Sequence, residues 1–512
     1  MRRYAARHLT TVTHTRMNLA QEIKELVCAG FSGIWVESSE CDDAVKTIRE
    51  MAADKNWDCD VWDIDRQLYS GRFQTRGPVD AIKMPLDAPK TCETQILILK
   101  NFHRFLPNPE VTQTLANRVL QGKGEGRYII IVAPTLALQP EIEKLFTVVH
   151  HELPDAPQLK KICDDLFVEG GSFAKPSDND VTAVVDASRG LTRLEAENAY
   201  ALSLVRHNKL QPDTIWNIKA QTLEKSGTLS LYRGDADFSH LGGLENLKNF
   251  CLRAMRKQGD EHTDRRPKGV LLLSPPGCGK SQFAKALGNE VGRPTVILDF
   301  GSLMGKFVGE SEGNMRRALK QVDAMAPCVL FVDEIEKALS GVQNSGQTDS
   351  GVSSRLFGTL LTWLNDHTSD VFFIGTCNDA TSLPAPFTRA ERFDGIFFVD
   401  LPADEQRKQI WDIYLEHFQL DRGQERPDDT NWTGAEIKSC CRLAALLDVP
   451  LLEAAQNVVP VSVTSAEQIE NLRTWAEGRC LSADVPGIYT RVGSRRAPNV
   501  KSRRVVTGPS AN

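Results

Sequence analysis

The chain has no apolar run long enough to cross a bilayer. The longest, Tyr128 to Leu138, is about half the roughly 20 residues a span requires and contains Pro134. Its 12 cysteines form no CxxC pair and no cysteine–histidine metal spacing, which reads as thiols in a reducing compartment without structural zinc. No apolar segment follows the first arginines, so a secretory signal is not expected. There is no basic excess either: 61 basic and 67 acidic residues give a net charge of −6, which argues against a dedicated nucleic-acid binder. What is present, 41% hydrophobic and 25% charged residues over 512 positions, belongs to a soluble globular chain of about three domains.

Patterning divides the chain. Residues 1–19 form a basic N-terminal segment, with Arg2, Arg3, Arg7 and Arg16 and only a faint likeness to a transit peptide. Over 20–155 strand-like runs (Gly33 to Ser38, Trp57 to Asp65, Gln95 to Leu99, Tyr128 to Ala133) alternate with helical spacings such as Ala44, Val45, Ile48 and Met51. That alternation implies βαβ units and a parallel sheet. Residues 156–235 read as a helical linker domain in which Thr192, ahead of Glu195, caps a long helix, and a short strand follows from Thr228 to Tyr232. Residues 236–400 form a second α/β domain, 401–484 a helical lid, and 485–512 a basic disordered tail.

The decisive segment is Gly269 to Ser281, GVLLLSPPGCGKS. An apolar strand enters a loop made of Ser274, Pro275, Pro276, Gly277, Cys278 and Gly279, and a helix opens at Lys280, Ser281 and Gln282. Phosphates are bound by closely approaching backbone N–H groups at a helix N-terminus, which glycines permit. Lys280 would reach the β- and γ-phosphates and Ser281 would ligate Mg2+. The general pattern has glycine where Ser274 stands, a small residue that keeps the turn at some cost in affinity.

About fifty residues on, the strand Cys328 to Val332 ends in Asp333 and Glu334. Asp333 suits Mg2+ held through water and Glu334 polarisation of an attacking water. A third strand, VFFIGTC, ends at Asn378, whose amide orients water between the γ-phosphate and Glu334. Arg389 and Arg392 follow, guanidinium groups that spread charge over a transferring phosphoryl group and can be supplied by a neighbouring subunit.

In this order and spacing residues 236–480 resemble the AAA ATPases, nearest to the protein-remodelling branch. The resemblance implies ATP and Mg2+ as cofactors and a homo-oligomer, a hexamer by analogy, that acts on a protein client. It implies a pore loop at Lys306, Phe307, Val308 and Gly309, adenine contacts from Leu241 and Gly242, and a lid helix starting at Thr433, Gly434 and Ala435. His240 and Tyr414 take positions near the nucleotide, and 349–361 with Arg355 a second pore-facing segment. Most of the chain, with stretches such as Leu191 to Lys209, is similar to the uncharacterised AAA proteins of cyanobacteria and plastids named after hypothetical chloroplast frame forty-six. That likeness implies bacterial cytoplasm or plastid stroma.

In the first α/β domain Lys100 and Asn101 stand where Asp333 and Glu334 stand in the second, and Ser39-Glu40-Cys41 replaces the glycine loop. It reads as a degenerate RecA-like domain used for docking or assembly, or as an unrelated α/β adaptor. Cys278, beside a helix N-terminus, is expected to have a lowered pKa and to react readily. The alternatives to a remodelling machine are a nucleotide-dependent scaffold or switch with slow hydrolysis, and a nucleic-acid factor acting through the basic tail.

Overall fold

The computed structural model describes residues 18–90, 92–168, 176–256, 266–303, 310–336, 350–379 and 392–491. The chain falls into two units, Met1–Ile215 and Trp216–Asn512.

The first unit is built on strands β1 (Gly33–Glu37), β2 (Asp58–Asp63), β3 (Gln67–Leu68), β4 (Gln95–Lys100), β5 (Arg127–Ala133) and β6 (Thr147–His150). They lie in the order β3-β2-β4-β5-β1-β6, parallel except for β3. Strands β4 and β5 are near-continuous apolar runs because both faces of a parallel sheet are covered. Alternate residues part accordingly. Trp35, Leu97, Leu99, Ile129 and Ile131 pack into one cluster with residues of helices Pro78–Asp87 and Pro109–Glu125. Ile34, Val36, Ile96, Ile98 and Ile130 pack into another with residues of helices Leu19–Cys28 and Cys41–Asp54. Helices follow at Ala156–Val168, Asp178–Ser188 and Arg193–His207. The last starts as its sequence dictates: the Thr192 hydroxyl accepts the Glu195 N–H, and the Glu195 carboxylate accepts the Thr192 N–H.

The second unit continues with β7 (Leu229–Tyr232), β8 (Gly269–Leu273), β9 (Thr295–Leu298), β10 (Cys328–Val332), β11 (Val371–Cys377), β12 (Gly395–Phe398) and β13 (Leu481–Ser482). Their order is β13-β12-β8-β11-β10-β9-β7, and only β7 runs antiparallel. The five parallel strands β12-β8-β11-β10-β9 repeat the order β6-β1-β5-β4-β2 of the first unit, so the two sheets share one topology. In both, the strand that enters first lies between the fifth and the fourth, which opens a crevice at its C-terminal end.

After β12 come lid helices Asp404–His417 and Gly434–Leu447, which bury Trp411, Trp432, Ile437, Cys440 and Cys441 together. Helix Ala466–Ala476 then leads back to the sheet, where β13 pairs with β12. Asp400, just past β12, ties both ends of this excursion. It accepts Arg473 Nη2 at 2.8 Å and the Tyr489 hydroxyl at 2.6 Å.

Candidate nucleotide site

Strand β8 is wholly buried and delivers the chain to the crevice. Gly277 and Gly279 then take φ of +84° and +87°, the left-handed region that L side chains disfavour. A Cβ on Gly277 would also lie 2.8 Å from Thr433 Oγ1, so glycine lets the N-cap of the second lid helix close on the loop. Ser274, fully buried, occupies the place where the general motif has glycine. Its hydroxyl donates to the Pro275 carbonyl at 2.7 Å and accepts from Lys280 Nζ at 2.7 Å. The serine thus helps aim the lysine. Lys280 Nζ also donates, at 2.8 Å, to Asn378 Oδ1, and its remaining N–H is shared between the Ser274 and Pro275 carbonyls at 3.1 and 3.2 Å. Burial presses the Lys280 pKa below a free lysine's.

Strand β10 ends at Val332 and hands over the acids. Ser281 Oγ donates to Asp333 Oδ2 at 3.0 Å. This hydroxyl–carboxylate pair presents only oxygen donors, the hard set that Mg2+ takes. Asn378 Nδ2 donates to Glu334 Oε1 at 3.2 Å, so one amide spans the lysine and the second acid. The Asn378 N–H is held by Glu336 Oε1 at 3.0 Å.

Asp333, Glu334 and Asn378 line one cavity of about 330 Å³ with His240, Leu241, Gly242, Pro276 to Gln282, Tyr414, Gly434 and Ala435, whereas Ser274 and Pro275 lie behind it and do not line it. His240 is drawn toward Asp237, its Nδ1 2.8 Å from the carboxylate. Burial holds the Tyr414 phenol above its ordinary pKa. Further lining residues that were not anticipated include Asp400, Gln406, Ile410, Lys438 and Asp484. Asp484 accepts the Leu244 N–H at 3.1 Å and Gln406 Nε2 at 2.6 Å. It lies just past a two-residue strand, Leu481–Ser482, too short to carry a periodicity. Lys306, Phe307, Val308, Gly309 and Arg389 lie outside the described residues, and Arg392 does not line the cavity. Arg355 lies 3.4 Å from Glu312 on the helix Glu310–Ala324.

Cys278 corrects an expectation. Its thiol is pushed up to about 12, because burial outweighs the attraction of Lys280. In the nucleotide-free protein at pH 8, Cys278 should therefore be alkylated by iodoacetamide much more slowly than the exposed Cys28. Peptide mass spectrometry over time reads both, and fast labelling of Cys278 would restore the reactive thiol.

Residues 270–401 match the ATPase family associated with various cellular activities, AAA. Residues 19–151 and 157–226 match the N-terminal and second domains of SpoVK-like AAA ATPases. The uncharacterized AAA domain-containing protein ycf46 of Guillardia theta is 30% identical over 445 residues, 80% of this chain and 87% of that one. The chain belongs to the AAA ATPase family. The ycf46 protein of Pyropia yezoensis is 28% identical over 506 residues, covering 92% of this chain and 100% of its own. A cell division cycle protein 48 homolog of Archaeoglobus fulgidus is 30% identical over 227 residues, 41% of this chain and 30% of that one.

In the first sheet of this AAA ATPase the matching positions hold a lysine and an aspartate in place of Asp333 and Ser281. Only Ser38, Ser39 and Glu40 separate β1 from helix Cys41–Asp54, where 274–279 separate β8 from its helix. Asn101 has φ +55° as Glu334 has φ +48°, so the two strand ends turn alike. There Lys100 pairs with Asp42 at 2.5 Å, where Asp333 meets Ser281 in the second unit. Glu40 is claimed by Arg193 at 2.9 Å, and Arg193 also reaches Asp43 at 3.1 Å. This sheet edge thus has neither a glycine loop nor an acid at the position of Asp333.

Proposed function

We propose that this AAA ATPase binds ATP with Mg2+ in the cavity of its second unit and hydrolyses it as a hexameric ring that remodels or unfolds a protein client. The observation that carries hydrolysis is the Asn378 amide set between Lys280 and Glu334, 2.8 and 3.2 Å away. In this reading the loop N–H groups and Lys280 hold the β- and γ-phosphates. Ser281 and, through water, Asp333 hold Mg2+, which when bound neutralises charge on the β- and γ-oxygens. Glu334 accepts the proton of the attacking water, and Asn378 orients that water. Leu241, Gly242, Tyr414, Gly434 and Ala435 enclose the adenine. Arg389 and Arg392 act on the neighbouring protomer's phosphates, and Lys306, Phe307, Val308 and Gly309 grip the client.

We assign residues 20–155, 156–235, 236–400 and 401–484 to a degenerate RecA-like domain, a helical linker, the ATPase domain and its lid, except that β7 (Leu229–Tyr232) within 156–235 belongs to the ATPase sheet, where it pairs with β9. Residues 1–19 are the basic segment; within the tail read at 485–512, residues 485–491 are anchored instead, Tyr489 being buried and donating to Asp400 and Arg491 pairing with Glu470. The compartment proposed is bacterial cytoplasm or plastid stroma, in keeping with twelve unpaired cysteines. Among the described residues no helix is long and apolar enough to cross a membrane. The first domain, with Lys100 where Asp333 stands, and Ser274 in place of the motif's glycine favour a second reading, a nucleotide-dependent scaffold with slow hydrolysis and no threading.

Phosphate release per protomer, followed against protein concentration alongside sedimentation, separates them. A ring enzyme should gain turnover as it assembles, lose it with EDTA, and slow on the order of 10³-fold in Arg389→Ala with nucleotide affinity kept. Turnover that ignores concentration, in a chain sedimenting as a monomer with ATP, would remove the ring.

A further inference from the structure

Strand β11 contributes more to the site than its terminal Asn378. Two residues earlier, Thr376 is fully buried between β8 and β10. Valine would fill that space equally well, so packing gives no reason for a hydroxyl there. A buried hydroxyl requires partners, and those of Thr376 are the two acids of the site. Its Oγ1 accepts the Glu334 backbone N–H at 2.8 Å and donates to Asp333 Oδ1. The direction is forced: an amide only donates, so the one hydroxyl proton goes to the carboxylate.

The backbone adds a second tie. The Ile335 N–H donates to the Thr376 carbonyl at 3.0 Å. Two successive amides of the turn after β10 are therefore anchored on one residue. Between them Glu334 sits at φ +48°, a left-handed conformation that a non-glycine residue keeps only where its surroundings enforce it. The same anchor fixes Asp333, whose Oδ1 is taken by Thr376 while Oδ2 faces Ser281.

We infer that Thr376 is a positioning residue of the ATPase reaction: its hydroxyl sets the carboxylate of Asp333 toward the metal position and holds the backbone of Glu334 so that this acid faces the attacking water. The inference rests on the nucleotide reading given above. Asp333 and Glu334 are then not set independently, since one proton-donating, proton-accepting group couples the metal-side acid to the base.

The test uses the full chain with Thr376→Val, Thr376→Ser and, against a misfolding valine variant, Thr376→Cys. Two quantities are read: kcat and KM for ATP, and the gain in ADP affinity on adding Mg2+, by calorimetry with ADP alone and ADP with Mg2+. Thr376→Val and Thr376→Cys should lose about 10- to 100-fold in kcat with KM changed little, and lose much of the Mg2+-dependent gain. Thr376→Ser should recover most of both. Wild-type kcat and an undiminished gain in the valine or cysteine variant would overturn the inference. So would a serine variant as impaired as valine, which would make the residue a packing element. Failure of the wild-type chain to bind ADP with Mg2+ would instead overturn the nucleotide reading itself.

Discussion

Lys280→Ala should abolish measurable ATP binding while leaving the fold intact. Lys280 is 6% exposed and its ammonium sits at the mouth of the loop, held by Ser274, Pro275 and Asn378. A triphosphate arriving there would exchange these neutral acceptors for charged ones. Hydrogen bonds to charged groups contribute roughly 1.5–3 kcal/mol each, so losing two weakens binding by about a hundredfold or more. Calorimetry with ATP and Mg2+ measures the loss, and the thermal midpoint of the nucleotide-free variant controls for folding. The alanine also leaves Ser274 Oγ and Asn378 Oδ1 without their donor, so a small drop in midpoint is part of the expectation. Undiminished affinity would mean that the phosphates lie elsewhere.

Glu334→Gln should separate binding from turnover. The amide keeps an oxygen for Asn378 Nδ2 and nearly the same shape, so the cavity and its affinity for ATP should persist. What it lacks is a carboxylate able to take a proton from water. General-base catalysis contributes about 10²–10⁴-fold, and hydrolysis should fall within that range. A remodelling ring held in its ATP form should then retain its client. Proteins that co-purify only with ATP present would identify it, and wild-type turnover in this variant would remove Glu334 from the base role.

Much of this site was legible before the fold. The loop from Ser274 to Lys280, the acids after an apolar strand and the asparagine after the next all rest on local pattern, and parallel strands bring their C-terminal ends to one edge. The paired cap at Thr192 and Glu195 was equally readable, because a capping box is complete within four positions. Thr376 was not, since a threonine inside a β-rich run looks like any β-branched strand residue until its neighbours across the sheet are known. Asp484 was hidden by distance: its partner Leu244 lies 240 positions away. Cys278 misled for a physical reason. The helix terminus and Lys280 do favour a thiolate, but they act on a group whose desolvation is larger.

The chain leaves the ATPase sheet after β12, builds the lid, and returns to pair with that same strand, with Asp400 clasping both departing and returning segments. A flap attached at a single point could swing in any direction. One moored at two points would turn most easily about the line that joins them. Opening over the adenine and movement of the outer lid face would then be the same rotation, so whatever rests on that face would register whether the chamber is full.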